Sequence, residues 1–200
     1  MSAADPVRDL PLPTPQERGD AARNRALLLD AARRLVTERG ADAVTMDDIA
    51  AAAGLGKGTV FRRFGSRAGL MMVLLDEDER ASQQAFMFGP PPLGPDASPL
   101  DRLLAFGRER LRFVNTHHEV LSAANRDPQS RYGAAAMVLR THVRMLLASA
   151  GTTGNLDGQT DALLALLEAD YVEFQLFERG QTLQALGDAW ESLARKLCGR

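Results

Sequence analysis

Between Thr45 and Ser66 the chain reads TMDDIAAAAGLGKGTVFRRFGS, a stretch whose residue types suit contact with phosphates and base edges. Lys57, Arg62, Arg63 and Arg67 supply cations, and Thr45 and Thr59 supply hydroxyls. Gly58 leaves a place where another backbone can approach closely. Stepping about 100° per residue from Lys57 puts Val60 and Phe64 on one side of a short helix. Gly58, Thr59, Arg62 and Arg63 fall on the other side. Arginine reaches guanine O6 and N7, or a phosphate, with paired donors, while small residues let a helix sink into a groove. Thr45 with Asp48 three residues later has the form of a capping box, which predicts a preceding helix starting near residue 46. Gly54-Leu55-Gly56 predicts the tight turn between the two, with Leu55 as a buried plug. Two short helices joined in this way make a helix-turn-helix, whose second helix reads the major groove of double-stranded DNA. A phosphate loop is excluded, because Ala51 holds its first glycine position and Gly58 follows Lys57.

These residues need a scaffold, and the rest of the sequence predicts an all-helical one. Leu27, Ala31 and Leu35, flanked by Leu28, Ala32 and Val36, predict a helix over 22–39 stopped at Gly40. Further helices are expected near 46–53, 57–63, 67–87, 99–116, 118–125, 129–149, 158–179 and 182–198, about nine in all. No alternating β-branched run suggests a strand. Residues 1–20, with prolines at 6, 11, 13 and 15, read as a disordered arm. Residues 89–99 read as a proline-rich linker and 151–158 as a loop. The expected division is therefore an arm over 1–20, a three-helix DNA-binding head over 21–66, and a larger ligand-binding and dimerisation domain over 67–200.

Charge is distributed accordingly. The chain carries a formal charge of −2, yet residues 18–67 hold ten basic and six acidic side chains, a surplus of four positive charges. A basic segment in an acidic chain is the asymmetry expected when one part meets phosphate. Apolar runs are short, so no membrane span is expected. The start lacks the pattern of a secretory signal, and the single cysteine, Cys198, fits a reducing cytoplasm. His117, His118 and His142 form no metal-ligand spacing, and no nucleophile–base pair suggests an enzyme. No metal, cofactor or catalytic residue is expected.

The stretch Thr45-Met46-Asp47-Asp48-Ile49-Ala50, Ala53-Gly54, Lys57-Gly58-Thr59-Val60-Phe61-Arg62-Arg63-Phe64, then Ser66-Arg67 and Leu70, resembles the TetR family of transcription regulators. The resemblance covers about residues 22–75. It implies a dimeric bacterial regulator, usually a repressor, acting on a palindromic operator in the cytoplasm at the nucleoid and responding to a small-molecule effector. By the same resemblance Thr45 and Arg67 bind phosphate, and Lys57, Gly58 and Thr59 enter the groove. Phe61 stands where the family usually has Tyr, so only packing on the sugar-phosphate edge remains there. Gly69 replaces a common Glu, which predicts a looser helix start after Ser66.

The remaining candidates lie in the second half. Phe106, Arg110, Phe113 and His117 form an aromatic stripe around one arginine, which reads as the wall of a pocket for an amphipathic or anionic ligand. Tyr132, Met137, Arg140 and Phe174 are taken as further lining. The 158–179 segment is apolar over most of its circumference, so a partner subunit is the expected cover. Leu163, Leu167 and Tyr171, with Trp190, Leu193 and Leu197, are the expected homodimer surface.

Overall fold

The computed structural model describes residues 15–41, 43–124 and 133–199, and among them it is all-helical. The helices are α1 (Pro15–Arg39), α2 (Met46–Ala52), α3 (Lys57–Phe64), α4 (Arg67–Phe88), α5 (Pro99–Ala124), α6 (Ala134–Ser149), α7 (Leu156–Ala165), α8 (Ala169–Glu173) and α9 (Leu183–Leu197). A π-helical turn, Phe174–Glu178, continues α8.

Three boundaries differ from the sequence expectation. First, α1 starts at Pro15, so residues 15–20 are helical and not part of an arm. Proline suits a helix start because its fixed φ is helical and its missing N–H would have had no partner. Second, the expected break between residues 116 and 118 is absent. The Thr116 hydroxyl bonds back to the Arg112 carbonyl at 3.0 Å, and α5 runs through His117 and His118. Third, the expected 158–179 helix is two. Leu166, Leu167 and Glu168 tighten into bonds to the residue three back, and Glu168 then turns to extended backbone. One fusion and one division leave the number of helices among the described residues near the expectation; the expected helix start at 129–132 lies outside them.

Two apolar cores form. The head core joins Leu28, Ala32 and Leu35 of α1, Ile49 of α2 and Val60 of α3 with Leu70, Met71 and Leu74 of α4. The α1 stripe is centred on Leu28; Leu27 is half exposed. The second core gathers Leu103, Phe106 and Val114 of α5, Val143 and Leu147 of α6, Leu163 and Val172, and Trp190 of α9, and it takes Phe86 from the far end of α4. Thus α4 belongs to both.

In the second core α5 and α9 meet at a glycine. A Cβ at Gly107 would lie 2.0 Å from Trp190 Nε1, so only glycine admits the indole. The Trp190 N–H donates to the Leu103 carbonyl at 3.0 Å, and its ring has no exposed surface. Nearby, His142 lies between Phe86 and Phe106, with ring centroids 4.3 and 5.2 Å away. Burial, with a smaller push from the Arg102 charge, lowers its pKa to about 4.

This packing leads to two expectations for stability. Gly107→Ala forces Trp190 out of its seat and should cost about 1–3 kcal/mol or more in urea denaturation. Because the folded His142 pKa lies below the ordinary 6.5, the unfolded chain binds the proton more tightly. Stability should therefore be level above about pH 6.5 and fall as pH drops towards 4. Denaturation midpoints across that window should lose part of this slope in His142→Phe.

Candidate nucleic-acid interface and sensor cavities

The head presents α3 at the surface. Val60 is fully buried and holds the helix down, with Phe64 half-buried beside it. Lys57, Gly58, Phe61, Arg62 and Arg63 are exposed, and Thr59 is partly so. This is the outward face expected from the helical wheel. A Cβ at Gly58 would meet nothing within 4 Å, so the fold itself gives no reason for glycine there. Gly54 makes the turn from α2 with a φ of 67°, a left-handed conformation that favours glycine. Leu55 is half-buried against the head core, a partial plug.

Two neighbours of α3 escaped the sequence reading. Asp47 of α2 pairs with Lys57, which reduces the free positive charge at the start of the helix. Asp20, Ala21 and Asn24 of α1 face Thr59, Arg62 and Arg63 across a cleft of about 410 Å³. No local motif marks Asn24; only the extension of α1 past α3 brings it there.

Thr45 caps α2 as expected. The Asp48 N–H donates to Thr45 Oγ1 at 3.1 Å, and the Thr45 N–H donates to the Asp48 carboxylate at 3.0 Å. The Thr45 hydroxyl donates to the same carboxylate at 2.6 Å. That hydroxyl bond, then the backbone one, holds the Asp48 carboxyl below the ordinary carboxylate range. Ser66 caps α4 by accepting from the Gly69 N–H at 3.1 Å. Glycine at 69 is a packing requirement, since a Cβ would fall 2.2 Å from the Phe64 carbonyl oxygen.

Arg67, expected at a phosphate, is engaged within the protein. Its guanidinium folds back, donating to the Ala41 and Val44 carbonyls of the loop before α2 and to Glu119 of α5 at 2.9 and 3.0 Å. Standing at the first position of α4 over that loop, it reaches these carbonyls while its side chain stays 30% exposed. It ties the head to α5.

Further ties run through α4. Glu77 bonds Arg25 of α1 at 2.6 Å, and Asp78 accepts from Arg33 of α1 at 2.9 Å and lies 3.1 Å from His117 of α5. Burial acts to raise the Asp78 pKa, but the bonds to His117 and Arg33 outweigh it and hold the carboxyl low. Glu79 faces the other way and bonds Arg110 at 2.6 Å. Both partners of that last pair are largely buried, at 9% and 14% side-chain exposure. Removing one side of such a pair costs far more than breaking the half-exposed Arg25–Glu77 bridge.

The expected ligand stripe on α5 does not line one pocket. Its members span about 16 Å along the helix axis, so they pass under different neighbours. Phe106 is core, packed on Phe86 and Trp190. Arg110 borders a cavity of about 250 Å³ between α4, α5, α6, α7 and α8, together with Asp76, Glu79 and Glu168. It is engaged by Glu79 and stacked 4.1 Å over Phe113, so its charge is already partnered within the protein. Phe113 and His117 border a separate cleft of about 350 Å³ beside Arg33 and Asp78. Met137 lines a groove of about 460 Å³ between α4 and α6, with Phe86, Met87, His142 and Met145. Arg140 is turned to Asp157 and Asp161 at 3.1 and 2.9 Å and joins α6 to α7. Phe174 is 51% exposed, and Tyr132 lies outside the described residues.

The expected dimer surface is also corrected. Leu163, Leu167 and Trp190 are buried in the chain's own core, and Leu193 and Leu197 pack half-buried against it. The break at 166–168 turns Leu163 and Leu167 inward and separates them from the stripe that follows. What stays exposed is Tyr171, Phe174 and Phe177 on α8 and its π turn.

Comparison with known proteins agrees with this architecture. Residues 28–72 match the family described as bacterial regulatory proteins, tetR family. No curated protein matches the sequence. Among solved structures, a transcriptional regulator from Saccharomonospora viridis in complex with choline is 19% identical, with a TM-score of 0.65 over 86% of this chain and 95% of that one. LfrR from Mycobacterium smegmatis, in complex with proflavine, is 21% identical, with a TM-score of 0.60 over 88% and 96%. A TetR-like transcriptional regulator from Rhodococcus sp. RHA1 is 25% identical, with a TM-score of 0.56 over 95% and 100%. No helix among the described residues is long and apolar enough to cross a membrane. The match to the tetR-family model thus runs from within α1 into α4, and the fold is shared with these regulators along most of the chain.

Proposed function

We propose that the protein is a homodimeric repressor, released from a palindromic operator on cytoplasmic, nucleoid-associated DNA when a small molecule enters its second half. The observation that carries this reading is the outward face of α3. Gly58, Arg62 and Arg63 are exposed and Thr59 partly so, on a helix anchored by Val60 that carries no carboxylate of its own. Repression is the commoner mode in the family the sequence resembles. Residues 21–66 then form the reading head, and residues 67–200 the sensor and dimer domain, with α4 reaching back into the head core.

The proposed contacts are Arg62 and Arg63 to base edges or phosphates, and Lys57, Gly58, Thr59 and Phe61 along the groove wall. Thr45 meets the backbone from the α2 cap. Choline and proflavine bound in two similar folds support a ligand in the sensor half here. Dimerisation through Tyr171, Phe174 and Phe177 is supported by three large apolar side chains exposed on consecutive turns. A two-fold pair of heads reads a palindrome in successive major grooves.

The release mechanism uses α4 as its moving part. Its acidic turn binds α1 through Glu77 and Asp78, and α5 through Glu79. A ligand that favours one position of α4 over another shifts the head spacing by its difference in affinity for the two states.

On an operator selected from random DNA, Arg62→Ala should lose about 1–3 kcal/mol of affinity, read by fluorescence anisotropy. Arg67→Ala should lower the melting temperature, because its guanidinium is engaged by protein groups, and an unchanged slope of log affinity against log salt would separate that brace from a phosphate contact. Wild-type binding by both Arg62→Ala and Arg63→Ala would overturn the assignment of α3. A Phe174→Glu, Phe177→Glu double variant should sediment as a monomer and bind the full palindrome much more weakly; an intact dimer would place the interface elsewhere.

A further inference from the structure

The groove between the far end of α4 and α6 contains a polar atom with no partner. His142 is 6% exposed, and its Nε2 is buried without a hydrogen bond. Leaving such a group unpaired costs about 1–3 kcal/mol, which a ligand that bonds it recovers. The neighbouring polar groups are already engaged. The Thr141 hydroxyl donates to the Met137 carbonyl at 2.8 Å, and Arg102 donates to the Leu93 and Phe86 carbonyls. Burial keeps the imidazole neutral at ordinary pH, so it offers a single acceptor or donor and no charge.

The surroundings define the rest of the ligand. Met87, Met137 and Met145 stand around the groove at 44–54% exposure. Their unbranched thioethers adapt to irregular shapes and favour aromatic rings. Phe86 forms the wall from α4 and stacks on His142. At about 460 Å³ the groove falls in the range of small-molecule sites, and the acidic cavity of about 250 Å³ falls below it.

We propose that this groove is the effector site and that it takes a neutral aromatic molecule bearing a hydroxyl group, a phenol seated among the methionines and hydrogen-bonded to His142 Nε2. This rests on the reading of the chain as a ligand-released regulator. The methionines move aside to admit the hydroxyl to the covered nitrogen. Phe86 and Met87 lie at the end of α4 opposite Arg67, so the ligand holds one end of the helix whose other end is tied to the head.

The test uses the full chain with 4-propylphenol and its hydroxyl-free counterpart, propylbenzene, by titration calorimetry. Wild-type protein should bind the phenol about tenfold more tightly, the effect of one recovered hydrogen bond. In His142→Phe, which keeps a ring between Phe86 and Phe106, that preference should vanish while propylbenzene affinity stays. Imidazole nitrogen NMR of the wild type gives a readout that needs no variant: the His142 Nε2 resonance should shift with the phenol and stay still with propylbenzene. Equal affinity for the two probes, a preference that survives in His142→Phe, or an unmoved resonance would each overturn the proposal. Anisotropy on operator DNA separates the two readings. Hydroxyl-dependent binding that leaves DNA bound upholds the groove as a binding site and overturns its role as effector site. DNA release by the phenol that is unaffected by His142→Phe overturns the groove and leaves the regulator reading intact.

Discussion

One helix shared by two cores is the constraint on which this molecule depends. α4 gives Leu70, Met71 and Leu74 to the head and Phe86 to the second core, and an α-helix of 22 residues transmits displacement over about 33 Å. It cannot slide or tilt at one end without disturbing packing at the other, because close-packed interiors do not deform continuously. Its acidic turn strengthens the constraint. Residues 77 and 78 face the arginines of α1 while 79 faces Arg110 of α5, so successive carboxylates hold different neighbours.

The head illustrates how little is needed to present an exposed helix face. Val60 is the buried anchor of an eight-residue helix whose opposite side stays wet. The capping box at Thr45, the left-handed turn at Gly54 and the close approach at Gly69 fix where α3 begins and ends. Arg67 then fastens this unit to α5. Its planar guanidinium donates to two carbonyls and a carboxylate, a geometry lysine would not reproduce. That side chain therefore braces the head from within the protein.

The second half shows the opposite balance. Trp190 and Gly107 lock α9 to α5, and buried leucines close most of the interior. Two apolar features remain outside it: the methionine-ringed groove beside α4, and the Tyr171, Phe174, Phe177 face. They differ in chemistry. The groove holds a buried nitrogen without a partner and flexible side chains at its rim. The aromatic face is presented outward on the last elements before α9.

The order of residues is legible wherever short-range physics is in control. Capping residues, glycine turns and a 3.6-residue period act within a few positions. The all-helical class, the helix-turn-helix and the outward set Gly58, Thr59, Arg62 and Arg63 are therefore written in the residues and their spacing. Which apolar side chains face inward is settled by packing over longer distances. Leu163, Leu167 and Trp190 are as apolar as Phe174 and Phe177, and only the break at 166–168 and the cleft opened by Gly107 send the first three into the core. The roles of Arg67, Asn24 and His142 depend on partners 23 residues or more away in sequence, at Val44, Glu119, Arg62 and Phe86, and no local pattern encodes such distances.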